Sequence, residues 1–358
     1  MGISSRGATA GGTALLIPML VQDLRDECRF DVRTMAYGRW GEGESFPAKI
    51  MHQLVDLGRY PFRLRRTAPH LVHLHSSFDR KAILRDVAFA VATRLFRRPL
   101  LLQWHGSETE LLRTRSPLWW VASRLLLRSV DALAVLSTEE RRDVQQSGFR
   151  RPCHVVKNSV DLSLYTQGVD LHSQLGIPPA VPLFLFIARL IPAKGLLDAV
   201  EALARMRSQA SHLIVVGDGP SRAPAEERAR RLRLHERIHF VGQVTEEEAR
   251  CFYCGCDVLV LPTYHAEGFP MSIFQAVASG MGIVTTRIRA AADHLREPDN
   301  CLFVPARDPD ALASVLEQLL SEPQLLRAMR AANRRLSSHF ERHVVASEFA
   351  EIYATLLE

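Results

Sequence analysis

The first half of the chain alternates short runs of apolar residues with longer segments in which apolar residues recur every three or four positions. Short apolar runs are typical of buried strands, and the longer pattern is typical of helices with one apolar face. The clearest strands are predicted at residues 71–74, 100–104 and 132–136. Since strands that alternate with helices build parallel sheets with helices on their faces, the pattern indicates an α/β domain.

A second alternating series follows a polar stretch that contains Gly168, Gly176, Pro178 and Pro179. Glycine and proline in such a stretch are typical of a linker. Beyond it, strands are predicted at residues 183–187, 213–216, 238–241, 257–261 and 283–285.

The length of 358 residues suits about two domains of ordinary size, each with its own core. We therefore expect two Rossmann-like, doubly wound α/β domains that face a cleft, at residues 1–165 and 166–340. Apolar residues recur with helical spacing over the last segment, which predicts an amphipathic helix at residues 341–358.

Composition places the chain among globular proteins, with 47% hydrophobic and 23% charged residues. No apolar run approaches the length of a transmembrane helix, and the polar start does not resemble a signal peptide, so we expect a cytoplasmic protein. The six cysteines are too irregular for a disulfide framework and are expected to be reduced. Zinc at Cys251, Cys254 and Cys256 is disfavoured, because no second pair with ligand spacing follows.

The charge is unevenly distributed. Residues 1–165 carry 25 lysines and arginines against 16 aspartates and glutamates, a net charge of +9, whereas the remainder carries −3. A basic field favours anionic partners such as a lipid surface or a phosphorylated acceptor. Nothing resembles a nucleic-acid-binding module, so no nucleic-acid partner is expected.

Tryptophans and arginines stand together at residues 113–128, and a second basic segment lies at residues 58–66. This combination suits peripheral contact with an anionic membrane. The alternative is a helix that covers a sheet and buries Trp119, Val121 and Leu125.

Two cations follow the strand predicted at residues 183–187. Arg189 and Lys194 stand five positions apart in the loop before the next helix. Since cationic side chains and the free N–H groups of a helix start act together on an anion, they predict a diphosphate site. The alternative is a pair of ordinary loop charges.

An acidic loop follows the strand predicted at residues 257–261. Glu267 lies in this loop, and a helix begins near Met271. Because ligands in open α/β sheets bind at the carboxyl ends of strands, Glu267 is a candidate site residue. Its alternative role is that of a helix cap.

The segment at residues 257–282 resembles the C-terminal signature of retaining glycosyltransferases of family 4, in which E-G-F-P is followed by a second glutamate eight residues after the first. The resemblance implies that Glu267 lies at the donor sugar and that residue 275 holds the ribose hydroxyls. Gln275 stands where the second glutamate is usual, and its amide still bonds a hydroxyl, without the charge-assisted component. The same resemblance adds three donor-binding residues: Gly268, Phe269 and Pro270.

Further elements follow in the family's order. Arg189 and Lys194 match its R-x4-K-G element, whose cations stabilise the departing nucleoside diphosphate. Gly217 lies in the glycine turn of V-V-G-D-G-P, and Val241 ends a strand whose backbone meets the base in the family. The glycine turn at Gly217 also fits a purely conformational role, and Gly242, next to Val241, also fits a plain turn residue.

In the first half, the resemblance places His105 at the transferred sugar, and a structural histidine is the alternative. Gly12 matches a glycine-rich first loop that approaches donor phosphate or acceptor, although only Met1 to Ser5 precede the Gly11–Gly12 pair as a strand. His73 and His75 alternate on one strand and are expected to pack or to line the cleft.

The resemblance implies a metal-independent retaining transferase of the GT-B architecture, without a cofactor. In this architecture residues 1–165 would form the acceptor-side domain, residues 166–340 would bind the nucleotide-sugar, and the helix at residues 341–358 would cross back to the first domain. The transferase would move a sugar from a nucleotide-sugar to a glycan or lipid-linked acceptor, in exopolysaccharide or cell-surface glycan synthesis. Two alternatives remain from the sequence: an inert nucleotide-sugar-binding partner protein, and a nucleotide-sugar epimerase on the same fold.

Overall fold

A computed structural model describes residues 2–5, 12–39, 45–165 and 169–358, which form two compact units. The first unit takes in the described part of Met1–Ser159 together with Ala266–Phe269 and Arg342–Glu358. The second unit takes in the described part of Val160–His265 together with Pro270–Glu341.

The first unit alternates strands and helices along the chain. Its strands β3 to β6 form a parallel sheet in sequential order, and β1 and β2 pair in parallel. The elements are β1 (Gly2–Ser5), α1 (Gly12–Asp26), β2 (Met35–Arg39), α2 (Phe46–Thr67), β3 (Val72–Ser76), α3 (Arg80–Leu95), β4 (Leu100–Trp104), α4 (Pro117–Ser129), β5 (Ala132–Val135), α5 (Thr138–Gln146) and β6 (Cys153–Val155).

The second unit is built around a parallel sheet with the strand order β12-β11-β10-β7-β8-β9. Its elements are α6 (Leu171–Leu175), β7 (Leu183–Ile187), α7 (Leu196–Arg205), β8 (His212–Val216), α8 (Arg222–Arg231), β9 (Ile238–Gly242), α9 (Glu246–Gly255), β10 (Val258–Leu261), α10 (Met271–Ser279), β11 (Gly282–Thr285), α11 (Arg289–His294), β12 (Leu302–Phe303), α12 (Pro309–Ser321) and α13 (Pro323–Ser337).

The last helix, α14 (Arg342–Leu357), belongs to the first unit and packs against α1. Arg342 holds Asp23 with two hydrogen bonds, from Nη2 to Oδ1 at 2.6 Å and from Nε to Oδ2 at 3.1 Å. Farther along α14, the hydroxyl of Tyr353 lies 2.7 Å from Nδ1 of His73 on β3. These contacts anchor the C-terminal helix to the first unit.

The central strands explain why the sequence pattern predicts the sheets well. All five residues of β4 and all five of β7 are buried. A parallel strand covered on both faces buries every side chain, so its sequence is an unbroken apolar run. The prediction of α/β units with parallel sheets is confirmed, and each predicted strand coincides with an observed strand to within two residues at either end.

The packing alternative for α4 is wrong in two of its three residues. Trp119 is half-buried, but Val121 is 53% exposed and Leu125 is 43% exposed. The buried face of α4 is instead formed by smaller and neighbouring residues, Ala122, Ser123, Leu126 and Leu127. Because α4 is apolar around most of its circumference, its periodicity does not show which side faces the sheet. Across the described ranges, none of the helices is both long enough and apolar enough to cross a membrane.

Candidate functional site

Four loops are joined by backbone hydrogen bonds at the carboxyl edge of the second unit's sheet. Leu190 N–H, after β7, donates to Asp218 O, after β8, at 2.9 Å. Gly217 N–H donates to Gly242 O at the end of β9 at 2.7 Å, and Tyr264 N–H, after β10, donates to Ala193 O at 2.8 Å. Open α/β sheets bind ligands at their carboxyl edge. Here the hydrogen bonds link the loops at that edge to one another.

Close packing of two of these loops requires glycine at position 217. Gly217 has φ of +125°, and a Cβ on it would lie 2.0 Å from the carbonyl oxygen of Ala188. Gly219 is similar, with φ of +149° and a Cβ position 2.6 Å from Leu190 O. The glycine turn therefore allows the loop after β8 to lie directly on the loop after β7.

The two predicted cations differ in their surroundings. Arg189 is exposed, and its side chain makes no ion pair with any residue in the described part of the chain. Lys194 is only 3% exposed and ends a short 3-10 turn, Pro192–Lys194. Helix α7 begins just beyond, after Gly195, without a side-chain cap. Its first N–H groups and the positive end of its dipole thus add to the charges of the loop.

Gln275 lies on α10 and is held by residues of α9. The hydroxyl of Tyr253 donates to Gln275 Oε1 at 2.9 Å, and Gln275 Nε2 donates to Glu246 Oε1 at 2.5 Å. The rings of Tyr253 and Tyr165 meet edge to face, with centroids 6.0 Å apart. Burial raises the pKa of both tyrosines, so each keeps its proton and remains a donor.

The E-G-F-P element is divided between the two units. Glu267, Gly268 and Phe269 belong to the first unit, and Pro270, in the second, precedes α10 without a side-chain cap. A Cβ on Gly268 would lie 3.0 Å from Leu136 Cβ. Glu267 is half-buried and Phe269 is buried.

A buried carboxylate lies beside Gly268 in the first unit. Glu140 Oε1 lies 3.2 Å from the Cβ position of Gly268 and accepts from Ser107 Oγ at 2.5 Å. Its Oε2 accepts from Leu136 N–H at 2.9 Å and from Ser137 Oγ at 3.1 Å. These hydrogen bonds satisfy both oxygens of the buried Glu140 side chain.

His105 follows β4 in the first unit and belongs to a histidine cluster. His105 Nε2 lies 2.8 Å from Nδ1 of His75, while its Nδ1 is buried without a hydrogen-bond partner among the described residues. Burial lowers the pKa of His105 to about 4 and lowers the pKa of His73 and of His75 well below its usual value. The three rings are therefore neutral at pH 7, and His73 and His75 pack in the core as expected.

Two further predicted site residues lie on α1 and on β9. Gly12 is the first residue of α1, while Gly11 lies outside the described residues. Val241 is partly exposed near the end of β9. The second unit thus gathers Arg189, Lys194, Gly217, Val241 and Gln275 on loops and helices at one edge of its sheet, and the first unit contains His105 and Glu267.

Glu246 and Tyr253 contact Gln275 but belong to none of the predicted motifs. One sequence signal was available for Glu246. Thr245 and Glu248 form a capping box, which marks the start of α9 and so places Glu246 in its first turn, shortly after β9.

In the described ranges, His, Cys, Asp and Glu form no group of three or more that could hold a metal ion. Cys251 and Cys254 lie on α9 and Cys256 follows it, where burial raises the pKa of its thiol.

Comparison with known families covers both units. Residues 181–322 match the model for glycosyl transferases group 1, and residues 19–159 match the model for a glycosyl transferase 4-like domain. Together the two matches show that the chain belongs to the family-4 type of glycosyltransferases, glycosyl transferases group 1. The resemblance to glycosyltransferases of family 4 is confirmed.

Curated relatives of this glycosyltransferase match part of their length. The D-inositol 3-phosphate glycosyltransferase of Corynebacterium efficiens is 26% identical over 249 residues, which cover 65% of this chain and 58% of the relative. A glycogen synthase of Mycobacterium tuberculosis is 30% identical over 172 residues, which cover 47% of this chain and 41% of the relative. The match therefore spans about half the length of these relatives.

Solved structures of other proteins resemble the fold of this chain. Anabaena Alr3699/HepE in complex with UDP-glucose has a TM-score of 0.78 at 20% identity, covering 99% of this chain and 100% of that one. The sucrose-phosphate synthase of Thermosynechococcus elongatus has a TM-score of 0.78 at 19% identity, covering 99% and 95%. The predicted GT-B architecture with two Rossmann-like domains is confirmed.

Proposed function

We propose that this glycosyltransferase moves a sugar from a nucleotide-sugar donor to a glycan or lipid-linked acceptor with retention of configuration. The observation that carries the proposal is the edge of the second unit's sheet, where Arg189 is exposed without an ion pair to any described residue and an uncapped α7 begins beside Lys194. An anion is the ligand that this edge suits. The donor class is supported by Anabaena Alr3699/HepE, solved with UDP and with UDP-glucose.

In the proposed step, the bond between the anomeric carbon and the diphosphate oxygen breaks, and its electron pair leaves with the diphosphate. The acceptor hydroxyl oxygen bonds to the same face of that carbon, and its proton passes to a diphosphate oxygen. Negative charge grows on the leaving group during this step, so Arg189 and Lys194 act where preferential stabilisation lowers the barrier. We propose that these cations and the start of α7 take the place of a metal ion.

The remaining residues are assigned to binding. Glu267 contacts the donor sugar, and neutral His105 offers a hydrogen bond to it, since a pKa of about 4 leaves the ring uncharged at pH 7. Gly217 admits the diphosphate close to the backbone, and Gln275 lies at the ribose. Five further residues complete the proposed donor site: Gly12, Val241, Gly268, Phe269 and Pro270, the last of which directly precedes α10.

Turnover of a panel of nucleotide sugars, beginning with UDP-glucose, tests the proposal. The purified protein should release nucleoside diphosphate slowly by hydrolysis, and faster with an acceptor, and proton NMR should show the donor's anomeric configuration in the product. Binding without release of nucleotide would establish an inert binding protein instead. Isomerised donor without release would establish an epimerase.

The outer surface of α2, α3 and α4 supports a proposal for the acceptor side. Apolar side chains are exposed on all three helices, among them Phe62, Leu95 and Trp120. A groove of about 300 Å³ between α3 and α4 is lined half by apolar and half by polar or charged residues, namely Val91, Leu95 and Leu125 with Arg94, Arg128 and Ser129. We propose that this surface docks on an anionic membrane from the cytoplasmic side, because exposed apolar residues interspersed with arginines suit a lipid interface. Such docking favours a lipid-linked acceptor in exopolysaccharide or cell-surface glycan synthesis.

Sedimentation with phospholipid vesicles tests the docking surface. Replacing Val121 and Leu125 by serine should reduce binding to anionic vesicles by about tenfold or more, since each buried aliphatic side chain contributes about 1.5–3 kcal/mol. Leu197→Ser is the matched control, because Leu197 is a comparably exposed leucine of the second unit. Unchanged vesicle binding contradicts the proposal, and so does a dimer in solution that the double variant disrupts.

A further inference from the structure

Gln275 stands where its family carries a carboxylate, yet a carboxylate is present beside it. Glu246 Oε1 accepts from Gln275 Nε2 at 2.5 Å. The two residues come from different helices, 29 positions apart in the chain. A charge missing from α10 is thus supplied by the first turn of α9.

The orientation of the Gln275 amide is fixed by its neighbours. The carboxylate of Glu246 only accepts hydrogen bonds, so it faces the NH₂ group, and the hydroxyl of Tyr253 donates to the amide oxygen at 2.9 Å. The amide oxygen is therefore already engaged by a donor. A hydroxyl that needs a strong acceptor finds it in Glu246, whose carboxylate has further lone pairs and a full charge.

Glu246 is available for such a contact. It is exposed, and the cap of α9 uses Glu248, whose side chain accepts from the backbone N–H of Thr245 at 2.7 Å. Its position follows β9 directly, at the carboxyl edge of the sheet. Burial and the negative charge of Glu246 raise the pKa of Tyr165, whereas Arg250 and the hydrogen bond between Tyr165 and Gln275 lower it, so Tyr165 also adjoins the Gln275 amide.

We propose that Glu246 accepts the hydrogen bonds of the ribose hydroxyls of the nucleotide, and that Gln275 is a positioning residue that holds Glu246 in place. The proposal rests on the nucleotide-sugar site proposed above. It changes the assignment that the family motif implies, because the hydroxyl acceptor lies on α9 and not on α10.

Binding of ribose-modified nucleotides by calorimetry tests this assignment. UDP, GDP and ADP are first compared, and the tightest is then compared with its 2′,3′-dideoxy form. The unmodified protein should bind the ribose form about tenfold or more tightly, as is usual for hydrogen bonds to a charged acceptor. Glu246→Gln should bind both forms with equal affinity. Glu247→Gln, which alters the neighbouring exposed acid of the same helix turn, should discriminate as the unmodified protein does.

The double variant Glu246→Gln with Gln275→Glu separates a contact from a structural effect. It returns a carboxylate to α10, and discrimination against the dideoxy form should recover. Discrimination that survives in Glu246→Gln alone overturns the assignment while leaving the nucleotide site intact, and so does an unmodified protein that binds both forms equally. If none of the three diphosphates binds the unmodified protein, the proposed function itself fails and this inference fails with it.

Discussion

His75 on β3 lies beside His105, which directly follows β4, with Nδ1 of the first 2.8 Å from Nε2 of the second. Burial lowers the pKa of His105 to about 4, against an ordinary value of 6.5. In the unfolded chain the histidine is protonated below pH 6.5, whereas in the folded protein the ring is protonated only below about pH 4. The contribution of His105 to the free energy of unfolding is therefore fully present above pH 6.5 and is lost as the pH falls from 6.5 to about 4.

The predicted loss is about 2 kcal/mol between pH 7.5 and pH 5 for His105 alone. Urea unfolding at these two pH values measures it, and His105→Gln should show a smaller difference than the unmodified protein. His73 and His75, whose pKa values are also lowered, add to the loss in both proteins. Equal stability at the two pH values would show that the cluster is not held neutral.

Gly217→Ala should damage the loop arrangement at the carboxyl edge of the second unit. Its new Cβ would lie 2.0 Å from Ala188 O, and its φ of +125° is unfavourable for alanine. We expect a loss of about 2 kcal/mol or more in the free energy of unfolding, with weaker binding of UDP. Gly58→Ala on α2 is the control, because a Cβ there meets nothing within 4 Å and alanine favours a helix. A Gly217 variant as stable as the control contradicts the account of the turn.

The ion pair between Asp23 and Arg342 should stabilise the attachment of α14. Asp23 is 5% exposed and is bound through both carboxylate oxygens, so Asp23→Ala leaves a partly buried arginine without this partner. A cost of about 2–4 kcal/mol is expected in denaturant unfolding. Asp31→Ala removes a pair with Arg33 in which both side chains are exposed, and its cost should stay below about 0.5 kcal/mol. Equal costs in the two variants would argue against the anchoring role of the first pair.

How far the sequence predicts this fold depends on burial. The strand at Leu183–Ile187 is predicted to the residue, because LFLFI lies between two covered faces and is apolar throughout. By contrast, β6 contains three half-buried residues, Cys153–Val155, and β12 contains two residues, so neither produces a distinct apolar run. Short strands at the edge of a sheet are stabilised by their neighbours more than by their own sequence.

Some residues of the candidate site were predictable from local sequence, and others depend on how the helices pack. Motif spacing predicts Arg189, Lys194 and Glu267, because each follows a recognisable strand. The pairing of Glu246 with Gln275 was not predictable, since it depends on the relative placement of α9 and α10. The exposure of Val121 and Leu125 was not predictable either. Because α4 is apolar around most of its circumference, its sequence does not indicate which side is buried. The roles of the predicted site residues stay predictions, as do the acceptor-side function of the first unit and the donor-side function of the second.

The central claim is that Arg189 and the start of α7 hold the diphosphate of the donor. The most direct test is calorimetric binding of UDP and UMP to the unmodified protein, to Arg189→Ala and to Arg207→Ala. Arg207 is an exposed arginine beyond the other end of α7, so its replacement alters charge but not the proposed site. Arg189→Ala should weaken UDP binding by about tenfold or more and narrow the affinity gap between UDP and UMP, since a charge-assisted hydrogen bond contributes about 1.5–3 kcal/mol. Arg207→Ala should leave both affinities unchanged; an Arg189 variant that binds UDP as tightly as the unmodified protein would contradict the claim.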